Sequence, residues 1–192
     1  MWWSECFVVS GGKTLAIAAG MNNKGRVVAM DVLETRLDRS AQRLRRAGAH
    51  NVERRAIDTD STKWLKRHKE TFDRVLVDAP CTGTGTWRRN PDGRWTLTPK
   101  DLEELVPKQA AILDAAARLV KPGGGLVYAT CSVLPAEDER QIEAFLERHP
   151  EFSLVPAADL SLPPDATSGP YLRLSPLKNG TDGFFAAAMV RK

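Results

Sequence analysis

Short apolar runs ending on an acid or a thiol alternate with amphipathic stretches along most of the chain. Arg26-Val27-Val28-Ala29-Met30-Asp31 is the plainest, a continuous apolar strand with a terminal acid. Val75-Leu76-Val77 is another. It stops at Asp78-Ala79-Pro80, because proline cannot donate a ladder hydrogen bond. Gly125-Leu126-Val127-Tyr128-Ala129-Thr130 follows the helix stop and turn Lys121-Pro122-Gly123-Gly124 and ends on Cys131. Cys6-Phe7-Val8-Val9 predicts the first strand, residues 51–58 the third, Phe152–Val155 a short late one and residues 184–190 the last. Helices fall between them. Leu33, Leu37, Ala41 and Leu44 form one stripe, and Ser61 caps a short helix through Trp64 and Leu65. Thr98-Pro99-Lys100-Asp101 is a capped helix start. Pro107 should break or kink that helix, a second one then running to Val120. Pro135 starts a helix with Glu137 and Asp138 in its first turn and Pro150 as its stop, and residues 156–170 read as a loop. The alternation predicts one doubly wound α/β domain over residues 1–192.

In open parallel sheets, ligands bind at the carboxyl ends of strands. Asp78 and Cys81 sit at such an end, on a loop where Gly83 and Gly85 permit tight turning and close approach of a ligand. A lone Asp-x-x-Cys is read equally well as a turn with a buried structural thiol. Cys131 narrows the choice: if the two strands are neighbours, both thiols face one pocket. Ser10-Gly11-Gly12-Lys13-Thr14 lies between a strand and the helical Leu15–Ala19 run, where backbone N–H groups favour electron-rich ligands. It is not a P-loop, since Phe7 stands where G-x-x-x-x-G-K-[ST] requires its first glycine. Asp31, about 20 residues further on, suits either the ribose hydroxyls of an adenosine-containing cofactor or the cap of the next helix.

Composition adds limits. The 192 residues are 42% hydrophobic and 27% charged, with no apolar run long enough for a membrane span and no signal-peptide pattern. A cytoplasmic location is the default expectation. Three cysteines and three histidines argue against a disulfide framework and leave little for a metal site. The net charge of +4 permits a polyanionic partner without requiring one. Arg36, Arg39, Arg43, Arg45 and Arg46 crowd one helix, as a solvated face or a nucleic-acid surface. Trp87, Arg88, Arg89, Arg94 and Trp95 interleave indoles with cations just after the reactive loop. They suit a long, mobile substrate loop that stacks on bases and pairs with phosphates.

With these residues on the page, the chain resembles the RNA cytosine-5 methyltransferases, most closely the bacterial ribosomal RNA branch (the Sun, or Fmu, proteins). The matching motifs are Ser10–Thr14, Val75–Gly85, Arg88-Arg89-Asn90-Pro91-Asp92, Lys121–Gly124, Tyr128-Ala129-Thr130-Cys131-Ser132 and Gly180-Thr181-Asp182-Gly183-Phe184-Phe185. The resemblance implies a class I, Rossmann-like methyltransferase fold with a mostly parallel sheet and an antiparallel C-terminal strand. It implies S-adenosylmethionine as cofactor and an unstacked cytosine of ribosomal RNA as substrate. Cofactor contacts are expected at Val8, Val9, Ser10, Gly11, Gly12, Lys13, Asp31, Arg36, Asp58 and Asp78, with the ribose on Asp31 and the adenine near Asp58. RNA contacts are expected at Trp87, Arg88, Arg89 and Arg94. No metal is expected, and the chain should be a monomer.

Carbon 5 of cytosine is a poor nucleophile until a thiolate adds at carbon 6. By resemblance Cys131 is that nucleophile, Cys81 assists product release, and Asp78 hydrogen-bonds the base edge. DNA cytosine-5 enzymes use the Pro-Cys thiol with a Glu-Asn-Val motif, and no Glu-Asn-Val occurs here. The first motif departs from the family pattern: Glu5 replaces Asp, Phe7 replaces Cys, Ser10 replaces Pro, and Val8 and Val9 replace small residues. The RNA-binding segments that family members carry upstream are also missing, so the chain reads as a catalytic core. Both departures leave open a homologue that binds RNA without turnover. A small-molecule methyltransferase is a third reading, in which the second cysteine has no use.

Overall fold

The apolar runs become the strands of one sheet in the computed structural model, which describes residues 1–6, 11–57 and 62–192. In chain order the main elements are β1 (Trp2–Cys6), α1 (Gly12–Gly20), β2 (Arg26–Asp31), α2 (Glu34–Arg46), β3 (Val52–Ala56), α3 (Thr62–Arg67) and β4 (Phe72–Asp78). There follow α4 (Gly93–Thr96), α5 (Pro99–Ala117), β5 (Val120–Thr130), α6 (Glu139–Arg148), β6 (Phe152–Val155), β7 (Thr167–Ser168), β8 (Tyr171–Leu174), α7 (Pro176–Asn179) and β9 (Phe184–Arg191). The first five strands are parallel in the order β3-β2-β1-β4-β5. β9 lies antiparallel on β5, and β6 and β8 pair antiparallel with its far side. This is the expected doubly wound α/β sheet with an antiparallel C-terminal strand, β9, to which β6, β7 and β8 add further antiparallel strands.

Burial explains the arrangement. Val27 to Asp31 are all buried, as in a parallel strand covered on both faces. Ala29 packs with Leu37 of α2 and Val52, whereas Val28 and Met30, one residue to either side, join the main core. Phe72, Val75, Val77, Leu113, Leu119, Leu126, Tyr128, Ile142, Phe145 and Phe185 belong to that core too, beneath α5 and α6. The order reverses between β1 and β4, so the carboxyl ends of β1, β2, β4 and β5 open onto the crevice where doubly wound folds bind ligands.

Several boundaries differ from the sequence reading. The first strand begins at Trp2, earlier than the expected Cys6–Val9 run, of which residues 7–9 lie outside the described residues. The Trp2 N–H donates to Asp73 Oδ2 at 2.6 Å, and its ring meets Phe72 edge-on, so aromatic packing makes a strand of residues that lack a continuous apolar run. The third strand ends at Ala56, and Asp58 and Ser61 lie outside the described residues. α5 runs unbroken through Pro107. That proline is exposed, and the helix is held by a Thr98–Asp101 capping box and by buried Gln109, Leu113, Ala116 and Ala117. Tertiary packing therefore outweighs the one lost backbone bond. β5 starts at Val120 and absorbs Lys121–Gly124 as an irregularity, with the register jumping between Phe72 and Arg74 and Gly123 at φ +75°. The stretch expected as a loop over residues 156–170 contains two short 3-10 turns and β7.

Candidate active site

β4 and β5 are neighbours, with Asp78 paired to Ala129, so the loops that follow them meet. Cys81 Sγ lies 3.3 Å from Cys131 Sγ, and both thiols are free and partly buried. The contact acts on the two sulfurs in opposite directions. The hydrogen bond from Cys81 holds the Cys131 thiol below its ordinary range, with burial and the Asp78 charge opposing and Lys13 assisting. The same contact, together with burial, pushes the Cys81 thiol up. The contact therefore favours the charged form of Cys131 over that of Cys81, and the thiolate is the reactive form of sulfur.

Lys13, from the first turn of α1, reaches across to Asp78 with Nζ 2.6 Å from Oδ2 and lies over the Phe184 ring at 5.3 Å. Gly11 precedes the helix at φ +74°, where a side chain would be strained and its Cβ would strike Ser40. A Cβ at Gly12 would meet nothing within 4 Å among the described residues. Asp31 is wholly buried at the end of β2. Its Oδ1 accepts the Leu33 N–H at 2.8 Å, a local turn rather than a helix cap, since α2 has no side-chain cap. Oδ2 has no hydrogen-bond partner among the described residues, and the Arg36 guanidinium stands 3.5 Å away. Thus Gly11, Gly12, Lys13, Asp31, Arg36 and Asp78 gather at one end of the sheet. Val8, Val9, Ser10 and Asp58 lie outside the described residues.

The stretch expected as a mobile basic loop is folded. Thr84–Thr86 is a 3-10 turn, Gly93–Thr96 a short helix, and Gly93 packs under the Trp87 ring. Gly85 N–H donates to the Cys131 carbonyl at 2.9 Å and Gly183 N–H to the Gly85 carbonyl at 2.8 Å. A Cβ on Gly85 would lie 2.3 Å from the Gly183 oxygen, so this glycine serves contact between backbones rather than approach of a ligand. Arg88 and Arg89 both reach Asp182, at 3.3 and 2.5 Å. Arg94 stacks on the exposed Trp95.

Residues that sequence reasoning missed lie behind the sulfurs. Glu137 was expected in a helix's first turn. α6 instead begins at Glu139, and Glu137 lies in the preceding turn, wholly buried. Its carboxylate accepts from the Thr82 N–H (2.9 Å) and hydroxyl (2.5 Å), from Ser132 Oγ (2.5 Å) and from Gln109 Nε2 (2.9 Å). Gln109 also donates to the Pro80 carbonyl at 2.9 Å. Its signal was a polar residue in register with Leu113 and Ala116 on the buried face of α5. Asp138, likewise buried, accepts from Thr130 Oγ1 at 2.6 Å. Burial pushes its acid up to about 7, against Thr130 and an Arg173 guanidinium 3.8 Å away.

A family model described as 16S rRNA methyltransferase RsmB/F matches residues 3–190. The chain belongs to that family. Among its RsmB/F relatives, the ribosomal RNA small subunit methyltransferase B of Pectobacterium atrosepticum is 39% identical over 181 residues, covering 94% of this chain and 40% of that protein. The chain thus spans about 40% of the length of the curated relatives it matches. Of solved structures, NSun6 from Pyrococcus horikoshii with SFG superposes at TM-score 0.85, with 28% identity over 98% of this chain and 47% of that one. A methyltransferase homolog from the same organism gives 0.81, with 31% identity over 99% of this chain and 61% of that one. No helix of the RsmB/F chain, among the described residues, is long and apolar enough to cross a membrane.

Proposed function

We propose that this chain transfers a methyl group from S-adenosylmethionine to carbon 5 of a cytosine in ribosomal RNA, through a covalent adduct on Cys131. The observation that carries the reading is the pair of sulfurs 3.3 Å apart beside Lys13 and Asp78, in a chain of the RsmB/F family. The residues fit the cofactor: a buried Asp31 oxygen with no hydrogen-bond partner among the described residues suits a ribose hydroxyl, and the helix start at Gly12 suits the electron-rich end of the molecule. When bound, the cofactor supplies an electrophilic methyl group on a sulfonium.

The protein's own groups account for the rest. The Cys131 thiolate adds to carbon 6, forming the S–C bond and making carbon 5 enamine-like. Asp78 hydrogen-bonds the base edge and favours protonation of the ring in the adduct, with Lys13 holding its carboxylate in place. After carbon 5 has been alkylated it loses its proton to a base, the S–C bond breaks and the thiolate is restored. Cys81 assists that release from the hydrogen-bond position it already occupies. The base must leave its stack to reach the thiols, which is cheapest in single-stranded RNA.

Replacing each thiol tests the scheme. Cys131→Ala should abolish both methylation of unmodified ribosomal RNA and any covalent adduct. Cys81→Ala should leave a protein–RNA adduct that survives a denaturing gel. The opposite behaviour would assign the nucleophile to Cys81, as in DNA enzymes. Calorimetric titration with S-adenosylmethionine separates this enzyme from a homologue that only holds RNA, which would bind no cofactor.

A further inference from the structure

We infer that Glu137 is a positioning residue for the two thiols: its buried carboxylate ties the loop carrying Cys81 to the loop carrying Cys131 and so sets the distance between the sulfurs. The inference rests on the reading of Cys131 and Cys81 as the reacting groups. Its basis is where the four donors come from. Thr82 gives two bonds and is the residue after Cys81; Ser132 gives one and is the residue after Cys131; Gln109 gives the fourth from α5, which packs on both strands. The same Gln109 amide also holds the Pro80 carbonyl, immediately before Cys81. Ser132 Oγ stands 3.1 Å from Thr84 Oγ1, which accepts the Val133 N–H at 3.0 Å, so neutral hydroxyls close the web around the carboxylate. The turn itself is fixed from below, where Tyr128 donates its hydroxyl to the Glu137 carbonyl at 2.8 Å.

A carboxylate with four donors can hold two loops in one relative position better than apolar packing, because each donor fixes a direction as well as a distance. Besides that web, the Gly85 N–H bond to the Cys131 carbonyl and the Ala79 N–H bond to the Ala129 carbonyl join the two chain segments among the described residues. If the web loosens, the contact between Cys81 and Cys131 loosens with it, and the Cys131 thiol loses the largest influence that lowers it.

The sign of the effect distinguishes positioning from plain electrostatics. The groups facing the Cys131 thiol are Cys81, Asp78 and Lys13. Removing a nearby negative charge would by itself make the thiol more acidic. Loss of positioning makes it less acidic. Glu137→Gln keeps the shape but puts an NH2 where an acceptor is needed. The test is alkylation of the folded protein by iodoacetamide as a function of pH, with each cysteine followed by peptide mass spectrometry. Glu137→Gln should move the Cys131 midpoint upward and cut the Cys131-to-Cys81 rate ratio at pH 7 by at least about threefold. An unchanged or lowered midpoint overturns the proposal. Should that variant fail to fold, Thr82→Val with Ser132→Ala keeps the charge and removes two arms, and the same upward shift is required of it. The measurement needs neither RNA nor cofactor. A parent protein that forms no adduct with RNA would therefore overturn the proposed reaction and leave the thiol result standing by itself.

Discussion

The Lys13 ammonium and the Asp78 carboxylate lie 2.6 Å apart, from the first turn of α1 and the end of β4, beside the sulfurs. Their charges act on Cys131 in opposite directions. Lys13→Met should make the Cys131 thiol less acidic and Asp78→Asn should make it more acidic, both read from alkylation rates against pH. If Asp78 also serves the base edge, Asp78→Asn should slow methyl transfer by about a hundredfold or more despite the more acidic thiol. A variant that gains thiolate and keeps its rate would remove Asp78 from the chemistry.

Asp31 offers one buried oxygen without a hydrogen-bond partner among the described residues. Asp31→Ala should weaken S-adenosylmethionine binding by about 1.5–3 kcal/mol, the scale of a hydrogen bond to a charged group. Calorimetry would measure this directly, and an unchanged dissociation constant would end the ribose assignment.

Arg88 and Arg89 share Asp182 as an internal partner. If they contact RNA phosphates, Arg88→Ala with Arg89→Ala should lower the slope of log affinity against log salt by roughly one to two. Asp182→Asn frees both guanidinium groups and should raise affinity at low salt. Filter binding across a salt series reads both changes, and slopes that match the parent would move the RNA surface elsewhere.

Asp138 sets a pH dependence of stability. Its acid lies near 7 in the folded protein against an ordinary 3.8. Between those values the folded state holds more protons than the unfolded one, so stability falls as pH rises through the window, and the full cost is present above about 7. The ceiling on that cost is about 4 kcal/mol. Asn can still accept from Thr130 and carries no charge. Asp138→Asn should therefore gain melting temperature over the parent at pH 8 and gain less at pH 5. A difference that is constant with pH would refute the assignment.

Much of this arrangement was legible in the chain. β2, β4 and the core of β5 announce themselves as apolar runs with reactive ends, and the two thiols meet as the strand pairing requires. Glu137 and Asp138 were not legible, because Pro-Ala-Glu-Asp-Glu is also how a helix with acids at its positive end is written. What turns them inward is a set of donors on Thr82, Gln109 and Thr130, of which two come from elements far away in sequence. Pro107 misled for a related reason. A local rule forbids it inside a helix, but the neighbours that keep α5 whole lie on α6 and the sheet. The loop after Cys81 looked free because Asp182 and Gly183, which pin it, lie nearly a hundred residues on.

β9 is the last strand in sequence, yet β5 pairs with one side of it and β6 and β8 with the other. Synthesis from the amino end therefore delivers three strands and the whole parallel half before the piece that joins them. Until residues 184–191 follow, β5 presents an open edge, β6 has no partner strand and the β7–β8 pair has no link to the rest of the sheet. The same late segment brings Asp182, Gly183 and Phe184, which touch Arg88, Gly85 and Lys13. A nascent chain stalled just short of them would hold both thiols and no closed wall around them, so completion of the sheet and completion of the site are one event.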